Sequence, residues 1–249
     1  KAVAFKQSGT KVSNKILSNT TAVGAMASLP GVNKMVNWGN QNKIIRSVLE
    51  SSMGVHRDAQ VPAYHHPTAI NRIKVDDSGD AAISTGTTTG KVAIFVTCYG
   101  NHNHPKMVED LVAVYRHNGI AVKLIRQNQC CGMPKLELGD LESVNEYKNR
   151  NIPELIQHVK DGWDLVAPIP SCVLMFKQEI PLMYPDDFEV QQVKKAFFDP
   201  FEYLMLRHNA GALKQDFKNE LGVIAWQAAC HQRVQNIGPK TKDVLNLVP

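Results

Sequence analysis

The run Gln129–Cys130–Cys131–Gly132–Met133–Pro134 sets two thiols side by side, and the glycine and proline that follow turn the chain sharply. Adjacent cysteines make a poor disulfide, because the ring they would close is small and strained. As thiolates they are soft ligands that select iron–sulfur clusters, zinc or copper(I). Two thiolates on one turn can meet different metal atoms, which favours a multi-metal centre over a mononuclear one. Cys98, Cys172 and Cys230 are the remaining cysteines. Cys98, Cys130, Cys131 and Cys172 supply the four thiolates that an iron–sulfur cluster takes. Zinc on four sulfurs is the competing reading, since it accepts the same residues without redox chemistry. A redox dithiol is weaker, because the chain has no Cys-x-x-Cys.

Such ligands need elements that bring them together. After Gly90 the chain alternates short apolar, β-branched runs with helical periodicity: strands are expected over 92–97, 121–125, 164–169 and 223–228. Helices are expected over 105–118, 143–160, 173–183 and 191–209, the last interrupted by Pro200, and over 231–247. This order predicts an α/β fold with βαβ units and a parallel sheet covered on both faces. Right-handed crossovers put every strand's C-terminal end on one edge, where such folds place ligands. All five cysteines fall at, or within a few residues of, those ends. Free cysteine is often buried as a small hydrophobe, but a core cysteine belongs within a strand or helix face, so the placement argues for a site.

Residues 1–54 read as a helical segment, with 11–27 punctuated by Gly24, a break at Leu29–Pro30–Gly31, and 33–53 carrying Met35, Val36, Trp38, Ile44, Ile45, Val48 and Leu49 at helical steps. Core packing is the expected use of these apolar residues. The sharper alternative is a partner-docking or membrane-surface helix, with Lys34, Lys43 and Arg46 on its polar side. Residues 55–90 lose the pattern: Pro62, Pro67, His65–His66 and a Ser/Gly/Thr-rich run over 78–90 read as an extended linker. The paired histidines have no second pair at metal-ligand spacing.

With 249 residues the chain can form one large or two small domains. Its 43% hydrophobic and 20% charged residues are those of an ordinary globular protein. No apolar run approaches the roughly 18 residues of a membrane-spanning helix, and no signal peptide is present. A cytoplasmic protein, or one peripheral on the cytoplasmic face of the membrane, is expected. The formal charge of +5 comes without the clustered Lys/Arg and interleaved aromatics of a nucleic-acid surface. An odd number of cysteines without a secretion signal does not read as a disulfide framework. The chain begins at Lys1 and stops at Val248–Pro249, so both ends read as cut.

The order Cys98, a gap of 31 residues, Cys130–Cys131–Gly132, then Pro170–Ser171–Cys172 resembles the cysteine-rich CCG domain of heterodisulfide reductase. The run Cys131–Gly132–Met133–Pro134, residues 166–174, and Ala229–Cys230–His231 before Gln235–Asn236–Ile237–Gly238 are similar to the cysteine-rich subunit of anaerobic glycerol-3-phosphate dehydrogenase and its relatives. The resemblance covers about residues 90–249, with a weaker echo in the N-terminal helices. It implies two CCG domains in tandem, each with Cys…Cys-Cys-Gly…Cys-x-x-Cys, often preceded by a ferredoxin-like domain. On that pattern 91–220 is the first CCG domain, with Cys98, Cys130, Cys131 and Cys172 as metal ligands. Residues 221–249 start a second, truncated one, and Cys230 opens its cofactor site. Met175 stands where the fullest pattern has the second cysteine of Cys-x-x-Cys. A thioether is a poor substitute for thiolate, and Met175 is expected in the core. The non-cubane cluster of the heterodisulfide enzyme uses that fifth cysteine and is put in doubt here, while a cubane 4Fe-4S cluster or zinc stays open.

The function the resemblance implies is iron–sulfur electron transfer. The electrons come from a flavin-containing dehydrogenase subunit, through a ferredoxin-like domain or chain, and go to a quinone or disulfide acceptor. The alternative is a zinc-stabilised module that docks a dehydrogenase without redox activity. His102, His104 and His231 lie close enough in sequence to approach the site edge, though helix-start or surface roles are expected of them. Glu137, Asp140 and Glu142 read as a solvated helix entry.

Overall fold

The computed structural model describes residues 1–75, 82–126 and 130–249; Gln129 of the cysteine run and the start of the Ser/Gly/Thr-rich stretch lie outside them. Its centre is a sheet of four strands, β1 (Lys91–Phe95), β2 (Ala121–Ile125), β3 (Asp164–Val166) and β4 (Phe197–Phe198), in the order β2-β1-β3-β4. All pairings are parallel. The α/β fold read from the alternating pattern is therefore the observed one. β1 is buried on both faces: Val92, Ile94 and, just past the strand, Val96 pack with Val108, Val112 and Tyr115 on one, and Ala93 and Phe95 with Leu165, Phe176 and Phe197 on the other. Because the chain goes from β1 outward to β2 and then returns to β3 on the other side of β1, the order reverses between β1 and β3. A crevice at the strands' carboxyl ends is the place where open α/β sheets bind ligands.

The helices run α1 (Ala2–Ser8), α2 (Val12–Ser18), α3 (Thr20–Ala27), α4 (Val32–Gln41), α5 (Lys43–Met53) and α6 (Ala69–Arg72) before the sheet. β1 leads into α7 (Cys98–His102) and α8 (Pro105–His117), and β2 precedes α9 (Met133–Leu138) and α10 (Leu141–Lys160). β3 is followed by α11 (Pro170–Leu174), a π-helical turn Met175–Glu179, α12 (Ile180–Met183) and α13 (Phe188–Ala196). After β4 come α14 (Pro200–Asn209), α15 (Cys230–Arg233) and α16 (Lys240–Leu245). Pro105 opens α8 behind the His104 cap, and Gly119, at φ 68°, follows its end. No helix among the described residues is long and apolar enough to cross a membrane.

Several expectations change. The helix expected over 231–247 is two short ones, α15 and α16, and the one expected over 191–209 is broken at Phe197–Phe198, which is strand. Residues 223–228 form no strand; Val223 is fully exposed and Ile224 nearly half exposed, and the fourth strand is β4, a two-residue piece ahead of Pro200. Strand-like composition there finds no neighbouring strand to pair with, whereas Phe197 and Phe198 pair with Leu165 and Val166. Cys230 accordingly opens a short helix instead of ending a strand. The apolar residues of α4 and α5 are not core: Met35 is 64%, Trp38 61%, Ile44 77% and Val48 59% exposed. Their contacts run to each other and to α2 and α3, a layer one helix thick that covers one side of each. Arg46, expected on a polar face, is buried and donates to the carbonyls of Arg57, His56 and Ala59 at 3.0, 2.5 and 2.8 Å, fastening 56–59 onto α5.

The sheet is braced at the edge opposite the cysteines. Asp164, at the start of β3, accepts from the Thr89 backbone N–H at 2.7 Å, the Thr89 hydroxyl at 2.9 Å and the Tyr203 hydroxyl at 2.9 Å. Tyr203 in turn accepts the Gly90 N–H at 3.2 Å. These bonds tie β3, the entry to β1 and α14 at one buried point. Burial pushes the Asp164 carboxyl above the usual carboxylate range against the pull of its donors. Tyr203→Phe keeps the ring but orphans Gly90 N–H and removes one donor from Asp164. A loss of about 1–3 kcal/mol is expected, read as a lower midpoint in urea unfolding with an unchanged slope.

Candidate metal centre

Three of the four strands, β1, β2 and β3, each lead to cysteines. Cys98 is the first residue of α7, three residues beyond Phe95 at the end of β1. Cys130 and Cys131 lie between β2 and α9, and Cys172 sits in α11 after β3. The four line one hollow of about 390 Å³, with Tyr99, Glu137 and His231 also on its wall. Cys130, Cys131 and Cys172 are buried at 1%, 3% and 4% exposure, and Cys98 is half-buried. The backbone is bent to achieve this. Thr97 holds φ 67°, a conformation costly for a β-branched residue, while its hydroxyl accepts the Gly100 N–H at 2.9 Å. Gly132 holds φ 97°, which glycine alone adopts readily.

The double-cysteine turn is held through the backbone of Cys130. Its N–H donates to Thr21 Oγ1 at 3.1 Å, and its carbonyl accepts from Asn151 Nδ2 of α10 at 3.0 Å. Gly132 N–H points back to Cys130 Sγ at 3.5 Å. Met175 is fully buried in the same core cluster as Cys130, Cys131 and Cys172, as expected of it. It lies beside Gly132, where an added Cβ would come within 3.4 Å of its Cε.

The sulfurs form a hydrogen-bonded series. Cys131 and Cys98 both donate to Cys130, which holds the Cys130 thiol well below its ordinary range. Donation to Cys130, with burial, pushes Cys98 up. Donation to Cys130 and Cys172, again with burial, pushes Cys131 up. Such groups titrate together as one set, and ligation of a metal would displace their protons.

Cys230 is exposed and outside the hollow's wall, although α15 packs against α11. The structure thus brings four of the five candidate cysteines together. His231, one residue on, does reach the wall, with Nε2 3.8 Å from Glu137 Oε1. His104 caps α8 by accepting the Met107 N–H. His102 is buried, its imidazole pKa lowered by desolvation, and its Nδ1 meets Ser28 Oγ at 3.0 Å. His66 Nδ1 meets the Ser28 carbonyl at 3.1 Å. Asp140 caps α10. Thr21 and Asn151, which hold the turn, carry no sign of it in sequence, being 109 and 21 residues away and of unreactive type.

Among the described residues no group of three or more His, Cys, Asp or Glu side chains is arranged to hold a metal ion. The donor set nevertheless fits a thiolate-ligated cluster. It consists of four soft sulfurs around one hollow, with a backbone N–H directed at one of them.

Residues 92–177 match the family model described as the CCG cysteine-rich domain. One subunit of the anaerobic glycerol-3-phosphate dehydrogenase of Escherichia coli (strain K12) is 25% identical over 169 residues, 68% of this chain and 41% of that protein. Lactate utilization protein A of Bacillus cytotoxicus is 30% identical over 97 residues, 39% of this chain and 38% of that protein. The chain thus spans about two fifths of the length of these relatives. No solved structure matches the chain.

Gly132→Ala tests the bend in the turn. Its Cβ has room, but the left-handed backbone does not suit it, and a loss of about 1–2 kcal/mol is expected. Chemical denaturation of the metal-free chain measures it.

Proposed function

We propose, from the premise that residues 92–177 form a CCG cysteine-rich domain, that this chain is the electron-transferring, cysteine-rich part of a dehydrogenase complex. The observation that carries the reading is the convergence of Cys98, Cys130, Cys131 and Cys172 on one hollow at the sheet's carboxyl edge. The relatives named above, one a dehydrogenase subunit and one a lactate utilization protein, support an oxidoreductase setting. The group held there is an iron–sulfur cluster of the 4Fe-4S type with these four cysteines as ligands. When bound, it supplies one-electron redox chemistry at a potential set by ligand number, hydrogen bonds to sulfur and solvent exposure.

The chain's own residues do the holding. Thr21 and Asn151 fix the Cys130 backbone, Gly132 directs its N–H at Cys130 Sγ, and Met175 packs in the core cluster that holds Cys130, Cys131 and Cys172. Burial of three of the four sulfurs limits the access of water. The donor is a flavin-containing dehydrogenase subunit that acts through a ferredoxin-like domain or chain, and the acceptor is a quinone or disulfide. Residues 221–249 begin a second CCG domain in which Cys230 is the first cofactor ligand. Its exposure and its place outside the first hollow support that division. The setting is the cytoplasm or the cytoplasmic face of the membrane.

Protein purified without oxygen is expected to be brown and to contain iron and acid-labile sulfide. Colourless protein with one zinc per chain would instead establish the zinc-stabilised docking module. Cys131→Ser is expected to abolish loading, and Cys230→Ser to leave the iron and sulfide of the first site unchanged. Equal loss from both changes would show that the five cysteines serve one cluster.

A further inference from the structure

Helix α3 lies outside residues 92–177, yet it forms part of the cysteine site. Thr21 accepts the Cys130 N–H, and Thr20, the residue before it, carries a hydroxyl near enough to the Cys98 and Cys130 thiols to lower the pKa of both. Thr20 Oγ1 is inaccessible to solvent and has no hydrogen-bond partner of normal geometry. Buried hydroxyls are rarely left so, because each carries a desolvation cost. Local structure does not explain the residue either. Asn19, not Thr20, holds the N-cap position, and no side chain caps the helix.

The position of α3 is set by close packing on α7, the helix that begins with Cys98. A Cβ added at Gly24 would fall 2.6 Å from His102 Cδ2, so the two helices approach as glycine alone permits. His102 Nδ1 and Ser28 Oγ meet at 3.0 Å near the far end of α3, and the His65 N–H donates to the His102 carbonyl at 2.8 Å. One end of α3 is thus pinned to α7 and the other to the double-cysteine turn. A hydroxyl on the residue next to the Thr21 anchor has little freedom to turn away.

We infer that Thr20 is a positioning residue of the metal centre, its hydroxyl donating to the ligand sulfurs of Cys98 and Cys130. The inference rests on the thiolate-site reading above and adds to it an O–H donor from the N-terminal helices. A donor of this kind draws charge from a coordinated thiolate and favours the reduced, more negative state of whatever the thiolates hold.

The test compares Thr20→Val, which keeps the shape and removes the donor, with Thr20→Ser, which keeps the donor. Both are made in the full chain loaded with iron and sulfide. Iron and sulfide content, the visible and EPR spectra, and the midpoint potential from a dithionite titration are recorded for each. Thr20→Val is expected to retain the metal and to shift the one-electron equilibrium toward the oxidised form by about tenfold, about 59 mV. Thr20→Ser is expected to stay near the wild type. An unchanged potential in Thr20→Val, or equal shifts in both variants, would overturn the inference. Loss of metal from Thr20→Val alone also supports the contact, and loss from both counts against it. If the wild-type chain holds no iron and sulfide, the cluster reading fails separately. The cobalt(II)-loaded protein then answers for the hydroxyl: its thiolate-to-cobalt band is expected to move in Thr20→Val and not in Thr20→Ser, and an unmoved band overturns the inference.

Discussion

The arrangement depends on the peptide of Cys130 being held on both sides. Thr21 takes its N–H from the N-terminal helices, and Asn151 gives to its carbonyl from α10. A buried turn with both backbone groups unmet would carry a cost of several kcal/mol and would rearrange to meet them. Satisfied as they are, the two bonds fix where the adjacent sulfurs point. They also join three parts of the chain that are distant in sequence, so the geometry of the thiols reports on the docking of the whole N-terminal layer.

Beneath the turn the site rests on a stiff aromatic column. Phe95 of β1 meets Phe176 edge-on at 5.1 Å, and Phe176 stacks on Phe197 of β4 at 5.0 Å. Phe176 lies in the π-helical turn that starts at Met175, three residues after Cys172. A π turn widens the helix by one residue per bond, and here it lets Met175 and Phe176 both face the core while Cys172 faces the hollow. Met175 occupies the place of a ligand in the related pattern and serves as apolar core. The sheet, the π turn and the cysteine hollow are therefore one packed unit.

Much of this was legible in the residues. β-branched runs ending at Cys98 and shortly before Cys130–Cys131 and Cys172 identified β1, β2 and β3, and parallel topology then required a common edge. The failures share a cause, which is that composition does not report a partner. Val223 and Ile224 have the makings of a strand but lie against water, whereas Phe197–Phe198 is too short to signal a strand and is one because β3 is beside it. Trp38 and Ile44 have helical spacing suited to a core, yet α4 and α5 form a layer with nothing over their outer side among the described residues. Arg46 looked like a surface cation and is a buried staple for the carbonyls at 56, 57 and 59. Thr20 and Thr21 are ordinary helix residues by type, and only the tertiary docking of α3 gives them a place beside sulfur.

The unequal burial of the four sulfurs sets an order of vulnerability. Cys130, Cys131 and Cys172 are sealed by the turn, the aromatic column and α11, whereas Cys98 retains a path to solvent beside the exposed Tyr99. Oxidants that convert thiolates to sulfenic and then sulfinic acid act where sulfur is reachable. Exposed Cys230 is therefore the first sulfur that oxidants meet, and of the four around the hollow Cys98 is the one they can approach from solvent, so damage to the site enters at the end of β1.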